Sequence, residues 1–471
     1  MPDLLKLASR LGLAVAAITG LVAVTGWAAG SSDIWQPAAV VASVAAAVGC
    51  RAIPALVTYQ FTVWVLVTVV LGMLYPERCL SLGGLDMKNK HLLTAMIQLV
   101  MFGMGTQMTI AELKTVKNMS YPVFIGILLQ FSVMPVVGWG IARAMDMPPE
   151  IAAGVVLIGA CSSGLASNVM SYIAEANLPL SLTLTAIGTV TAPLTTPFWM
   201  WMLAGKWTAI DVFGMMMDII KIVIVPVGAA LLHDWLRHAP AGRRQTLTAA
   251  CLLAIAATFG TWLAGLWSLP LTAGGEPTRP ALLAIYSAGA VLIGIGYHAL
   301  WRIWPGVDRW MPAAAMFGIL FVTLITIAKG RGQLMDLGVE LFIASVLHNV
   351  IGLALGYAIC KVSRVDERSS RTIAMEVGIQ NGGMASGLAN EMGKIDTVGL
   401  AAAVFIPWMN ISGSLLANYW RRRGVCVVHR GACTEHLSAK HRGVKALHDR
   451  EPESAEEAAT LRRQRRVIQA R

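Results

Sequence analysis

Apolar stretches separated by short polar connections follow one another from the N-terminus to about Trp420. They run to roughly 17 to 25 residues, the length an α-helix needs to cross a hydrocarbon layer about 30 Å thick. Helices are predicted at about 11–29, 36–57, 59–75, 91–110, 120–144, 150–173, 178–203 and 213–235, then at 246–269, 280–303, 310–329, 335–361, 371–391 and 397–421. That makes about fourteen spans and an all-α polytopic membrane protein. The connections leave no room for a separate catalytic domain except after Arg421. The chemistry is therefore expected within the bilayer.

Composition agrees with this pattern. Of 471 residues, 56% are hydrophobic and 13% charged, with a mean hydropathy of +0.64. A soluble domain cannot bury that much apolar surface, so lipid must solvate it. The formal net charge of +11 would suggest a nucleic-acid partner in a soluble protein. Here the basic residues fall mainly in alternate connections, which is a topology signal rather than a nucleic-acid footprint. With both termini cytoplasmic, Arg51, Lys114, Lys117, Arg237, Arg302 and Arg371 lie inside with the Arg421–Arg423 cluster, whereas Lys88, Lys90, Lys206, Lys329 and Lys394 lie in the sparser outside loops. The expected location is a bacterial inner membrane.

The first segment has Lys6 and Arg10 before an apolar run that ends near Trp27-Ala28-Ala29, a pattern shared with secretory signals. Its apolar stretch is long, which favours an uncleaved anchor. Seven cysteines are scattered without a CxxC pair, so no disulfide framework is expected. The tail from Arg421 to Arg471 carries an acidic patch at Glu451–Glu457 and basic residues at Arg462–Arg466. It reads as a cytoplasmic tail with room for one short helix. Its Cys426, His429, Cys433 and His436 are packed more tightly than the loop of a zinc finger allows, so no metal is expected there.

Two spans depart from plain lipid-facing helices. Cys161-Ser162-Ser163-Gly164-Leu165-Ala166-Ser167-Asn168 and Glu376-Val377-Gly378-Ile379-Gln380-Asn381-Gly382-Gly383-Met384-Ala385-Ser386 place glycines and polar side chains half-way across. Backbone groups freed by unwinding survive in a bilayer only where protein or a wet cavity satisfies them. Interrupted helices in corresponding positions of two halves point to a transport site. Glu376 carries the strongest signal, because an acidic group near mid-span costs about 2.5 to 3.5 kcal/mol unless compensated. A hard cation is the natural compensation. Oxygen ligands lie close by in sequence: Ser167, Asn168, Gln380, Asn381, and the pair Ser181 and Thr185, whose four-residue spacing puts both hydroxyls on one helix face. Singly, such hydroxyls more often bond their own helix backbone.

With these residues the chain resembles the bile acid:sodium symporter family. The resemblance runs from about residue 59 to 422 and rests on Met101–Gly105, Gln130–Pro135, Ala166–Met170, Leu180-Ser181 and Glu376–Asn381. It implies a sodium-coupled carrier of organic anions with ten helices in two inverted repeats, a panel and a core, and two broken helices crossing in the core. Carried over by motif, one sodium site takes Ser167, Asn168, Ser181, Thr185 and Glu376. A second takes Gln130, Gln380 and Glu376 with the carbonyls of Val377 and Ile379. Asn381 would face the substrate, with Gly164, Leu165 and Gly382 beside it. Beyond sodium no cofactor is implied, and the substrate ranges over bile-acid-like molecules, keto acids, pantoate-like acids and sulfonates.

The chain departs from the family pattern in three places. An extra helix pair occupies 1–57, ahead of 58–235, which hold the first repeat and the first helix of the second. Another pair is inserted at 236–305, before the rest of the second repeat at 306–422 and the tail at 423–471. The family's frequent Cys-Pro-Gly-Gly is Cys161–Gly164 here; without the proline, the break is left to Gly164. Two rival readings remain, a metalloid permease acting through Cys161 and a membrane sensor acting through its tail. Enzyme chemistry fits worst: His298 and His348 read as packed or snorkelling groups, and Asp218 and Lys221, three apart on one helix, neutralise each other.

Overall fold

The computed structural model describes residues 2–53, 56–109, 120–263, 272–273, 276–277, 279–423, 425–429 and 432–436. The connection carrying Lys114 and Lys117, and the tail beyond residue 436 with its acidic and basic patches, lie outside the described residues.

Among the described residues, helix is found in each of the fourteen predicted stretches. In chain order these are α1 (Pro2–Ala28), α2 (Ser32–Gly49), α3 (Gln60–Leu74), a short α4 (Pro76–Leu80), α5 (Lys90–Gly105), α6 (Ser120–Ala144), α7 (Pro149–Ala160), α8 (Leu165–Ile173) and α9 (Leu178–Trp199). There follow α10 (Val212–Ile219), α11 (Val225–His238), α12 (Ala241–Leu263), α13 (Arg279–Ile303), α14 (Val307–Lys329), α15 (Arg331–Val362), α16 (Glu367–Gly378), α17 (Gly382–Glu391) and α18 (Val398–Arg423). A π-helical turn at Ile220–Ile224 fuses α10 and α11 into one rod. Among the described residues, 9 helical segments are long and apolar enough to cross a membrane singly. The two interrupted stretches are not among them, because each break splits an otherwise sufficient length.

The termini follow from local chemistry. Asn89, Asn177, Asp366 and Asn381 each accept a backbone N–H from the first turn of α5, α9, α16 and α17, satisfying donors that a helix start leaves orphaned. Tight reversals use the left-handed region at Asp146, Glu175 and Arg364, at φ 49°, 53° and 57°, which lets neighbouring helices be joined by very few residues. The tail opens as an antiparallel hairpin of Val425–His429 against Ala432–His436. Side chains there, including Cys426, His429, Cys433 and His436, lie outside the described residues.

Two bundles emerge from the packing. α3, α5, α11 and α14 form one, in which Gly103 lets α5 approach α14 until an added Cβ would stand 2.7 Å from Ala315 Cβ. Small residues of this kind take the place of a hydrophobic driving force in lipid. α6, α7, α8, α9, α15, α16 and α18 form the second bundle, with α17 packed between α18 and α5. The N-terminal helices and the segment at 241–303 attach to the first bundle: α1 and α2 pack together and reach α3, and α13 lies along α11. Among the described residues, α1, α2 and α13 make no extensive contact with the second bundle, which carries both breaks.

Candidate functional site

The interrupted helices meet at their breaks. Between α7 and α8 the chain is extended, with Cys161 at φ −74°, ψ 160° and Gly164 at φ −109°, ψ 173°. Between α16 and α17, Ile379 is extended at φ −111°, ψ 106°. Ser163 and Gln380 form an antiparallel β-bridge, and Asn381 N–H donates to the Ser162 carbonyl at 2.8 Å. Each break thus satisfies backbone groups of the other, as burial requires. This corrects the expectation that Gly164 carries the break alone: residues 161–164 are unwound together and the crossing strand holds them. Gly164 sits close to the crossing strand, where a Cβ would lie 3.3 Å from Gln380 O and 3.4 Å from Asn381 Cα, a tight fit.

Beside the crossing sits Glu376, only 1% exposed. Its Oε1 is 2.5 Å from Ser181 Oγ; its Oε2 is 3.0 Å from Thr185 Oγ1 and accepts from Ser163 Oγ. Asn168 Oδ1 lies 2.7 Å from Ser181 Oγ and 3.1 Å from Thr185 Oγ1, and the Ser163 and Thr185 hydroxyls are 3.3 Å apart. A hydroxyl carries one proton. Six oxygen–oxygen contacts therefore share the three protons of Ser163, Ser181 and Thr185. Among the described residues no ion pair reaches Glu376. The cage is rich in lone pairs and short of positive charge.

A second polar cluster lies on the other side of the bridge. Gln130 Nε2 of α6 donates to the Cys161 carbonyl at 3.1 Å and to Gln380 Oε1 at 2.9 Å, and Gln380 Nε2 donates to the Val377 carbonyl at 2.6 Å. Asn349 Nδ2 holds the Gly378 carbonyl at 2.8 Å. Two buried amide atoms at these clusters, Asn168 Nδ2 and Gln130 Oε1, have no hydrogen-bond partner.

Residues 94–264 match a family model described as Sodium Bile acid symporter family. The chain is 28% identical over 364 residues to an uncharacterized sodium-dependent transporter of Bacillus subtilis, covering 77% of this chain and 91% of that one. It is 27% identical over 367 residues to a probable chloroplastic sodium/metabolite cotransporter of Arabidopsis thaliana, covering 78% and 74%. Over most of its length the chain is thus similar to members of the bile acid:sodium symporter family. A shorter match, 29% identity over 149 residues, reaches the ileal sodium/bile acid cotransporter of Oryctolagus cuniculus and covers 30% of this chain and 43% of that one. Members of this family are transporters, not enzymes.

Measured against the family motifs, Asn168, Ser181, Thr185 and Glu376 converge in one cage. Ser167 Oγ turns back to the Gly164 carbonyl at 2.7 Å while still interacting with Glu376. Gln130, Gln380 and the Val377 carbonyl meet in the second cluster, with Ile379 in the unwound link beside them. Asn381 is spent on the α17 cap and lies 3.7 Å from Met104 Sδ of the other bundle. Gly382 packs against Ile406 of α18, and Leu165 is half-buried at the start of α8. Cys161 is fully buried and offers Gln130 its carbonyl.

Sequence reasoning missed Ser163, which stands in the first unwound link and bonds Glu376 directly; a doubled serine where the family has Pro-Gly was its only trace. Lys221 pairs with Asp218 at 3.5 Å as expected, and sequence reasoning missed its second and shorter partner, Glu391 at the far end of α17, 2.7 Å away. His348 is fully buried against Phe405 and bonds the Met134 carbonyl at 2.9 Å, a packed role as expected.

Proposed function

We propose that the protein is a sodium-coupled symporter that carries a small organic anion through a bacterial inner membrane by alternating access. The observation that carries this reading is the proton shortage of the Glu376 cage. An ionised carboxylate taken out of water is costly unless paired, and here three hydroxyls, an amide oxygen and the carboxylate all present oxygen to one small volume. A bare alkali cation supplies the missing charge without needing a donor. Ser167, Asn168, Ser181, Thr185 and Glu376 hold one sodium, with Ser163 as a further ligand. Gln130, Gln380, Glu376 and the carbonyls of Val377 and Ile379 hold a second.

Sodium on Glu376 ties α16 to α8 and α9 and so fixes the crossing before the substrate arrives. The N-termini of α8, which no side chain caps, and of α17 then offer the positive ends of two helix dipoles to an anion. Between α5, α14, α17 and α18 lies a small pocket lined by Ile97, Val100, Ile319, Val322 and Ile406, with Thr323, Ser386 and Gly383 beside them. A keto acid, a pantoate-like acid or a small sulfonate would need less opening of this pocket than a bile-acid-like molecule. The antiparallel bridge between the two breaks supports the inverted-repeat reading, with fourteen spans in the bilayer and both termini cytoplasmic. Two Na⁺ with one monovalent anion carry one net charge inward, worth about 2.3 kcal/mol per 100 mV.

The test is uptake of radiolabelled pyruvate, pantoate and taurocholate into proteoliposomes under an inward Na⁺ gradient, with and without an inside-negative potential. The reading requires uptake of at least one of the smaller acids that collapses when choline replaces Na⁺. Accumulation of any of them at full rate in choline would contradict it.

A further inference from the structure

Far from the crossing, where α17 ends, the second bundle reaches across to the first. The Glu391 side chain is 3% exposed, and among the described residues its carboxylate is held by donors of the opposite bundle. Thr94 Oγ1 of α5 donates to Oε1 at 2.7 Å, while Lys221 Nζ and Lys90 Nζ lie 2.7 Å and 3.2 Å from Oε2. Lys90 also donates to the Glu391 backbone carbonyl at 2.9 Å, where a cation meets the negative end of the α17 dipole. Lys221 is carried on the π-helical turn Ile220–Ile224, a distortion that often marks functional positions. Gln98 Nε2 fixes that turn by donating to the Lys221 carbonyl at 3.0 Å.

This geometry is that of a carboxylate receptor built by one bundle and filled by a carboxylate of the other. Counting Lys90, Lys221, Asp218 and Glu391 gives a net charge of zero; without Glu391 the same group is left at +1. Below it α5 lies flush on α17, for a Cβ at Gly387 would stand 2.9 Å from Ile97 Cγ2 and 2.8 Å from Ile222 Cδ1. The two bundles cannot separate on this face without withdrawing Glu391 from its site.

Building on the symporter reading, we propose that Lys90, Lys221 and Thr94 form an external anion-docking site that Glu391 occupies when this face is closed and that a monovalent carboxylate or sulfonate occupies when it opens. Glu391 is then an internal competitor of the substrate. Its withdrawal leaves a single uncompensated positive charge at the mouth of the route to the cavity beside Gly383, and one monoanion restores neutrality. Asp218 keeps Lys221 directed into the gap in the meantime.

The experiment needs neither sodium nor a known substrate, so its failure is separate from a failure of the symporter reading. Gln98→Cys places a thiol beside Lys221, and its labelling is followed in the full-length protein in liposomes with a membrane-impermeant sulfonate thiosulfonate reagent and its trimethylammonium counterpart. With Glu391 intact, both label slowly. Adding Glu391→Gln should accelerate labelling at least fivefold and favour the anionic reagent; adding Lys221→Gln as well should abolish that preference while keeping the faster rate. Lys221→Gln alone, which still leaves Glu391 with Lys90 and Thr94, should loosen the face without any anionic preference, and Glu391→Asp should label like the parent. Unchanged labelling in the folded Glu391→Gln and Lys221→Gln variants overturns the proposal. Faster labelling with no preference for the anion overturns the docking site.

Discussion

Ser163 and Gln380 face each other as an antiparallel bridge where the two interrupted helices cross. That pairing explains how residues without helical hydrogen bonds persist in a buried place. It also sets the positions of both polar clusters, because Ser163 bonds Glu376 on one side and Gln380 accepts from Gln130 on the other.

Ser163→Ala removes one oxygen from the Glu376 cage and leaves the backbone bridge intact. The variant should fold with unchanged helix content, yet need about tenfold more Na⁺ for half-maximal stabilisation, the equivalent of about 1.4 kcal/mol. A sodium titration of melting temperature reads this directly; a midpoint equal to that of the parent removes Ser163 from the site.

The last residue of α16 has no room for a side chain. A Cβ on Gly378 would stand 2.5 Å from Leu353 Cγ and 3.0 Å from the Leu353 backbone nitrogen on α15. Gly378→Ala should therefore cost about 1 to 3 kcal/mol through overpacking, lowering the melting temperature equally in Na⁺ and in K⁺. Partial recovery in the Gly378→Ala, Leu353→Ala double variant would assign the cost to this contact.

Deleting residues 2–53 removes α1 and α2, which touch the rest through α3 and a 3.3 Å bond from Gln60 Nε2 to the Ala47 carbonyl, among other contacts. Since both breaks lie in the other bundle, the sodium midpoint of the shortened protein should stay within about twofold of the parent, a difference of about 0.4 kcal/mol. A shift beyond tenfold would give the added pair a part in the site.

Most of the helical layout was legible because a span announces itself by length and hydropathy: the stretch predicted at 120–144 is helical over those same residues. Asn168, Ser181, Thr185 and Glu376 of the cage were legible too, since serine, threonine, asparagine and glutamate at mid-span are expensive and stand out, whereas Ser163 was overlooked. Two further features were not legible. The unwound link was attributed to Gly164, but its geometry is held by a cross-pairing with residues more than two hundred positions away, which local propensity cannot register. The Glu391 contacts were invisible for a related reason: Lys90 read as a loop charge and Lys221 as a partner for Asp218, because only the packing of α17 on α5 brings the carboxylate to them.

The central claim is that the Glu376 cage binds sodium, and thermal stability of the purified protein tests it most directly. Ligand at about a hundred times its dissociation constant stabilises by about 2.7 kcal/mol. Titration with NaCl against KCl at constant ionic strength should raise the melting temperature of the parent in Na⁺ alone, and should leave Glu376→Gln unmoved by either salt. An equal rise in K⁺, or a Na⁺ response that persists in folded Glu376→Gln, would contradict the account.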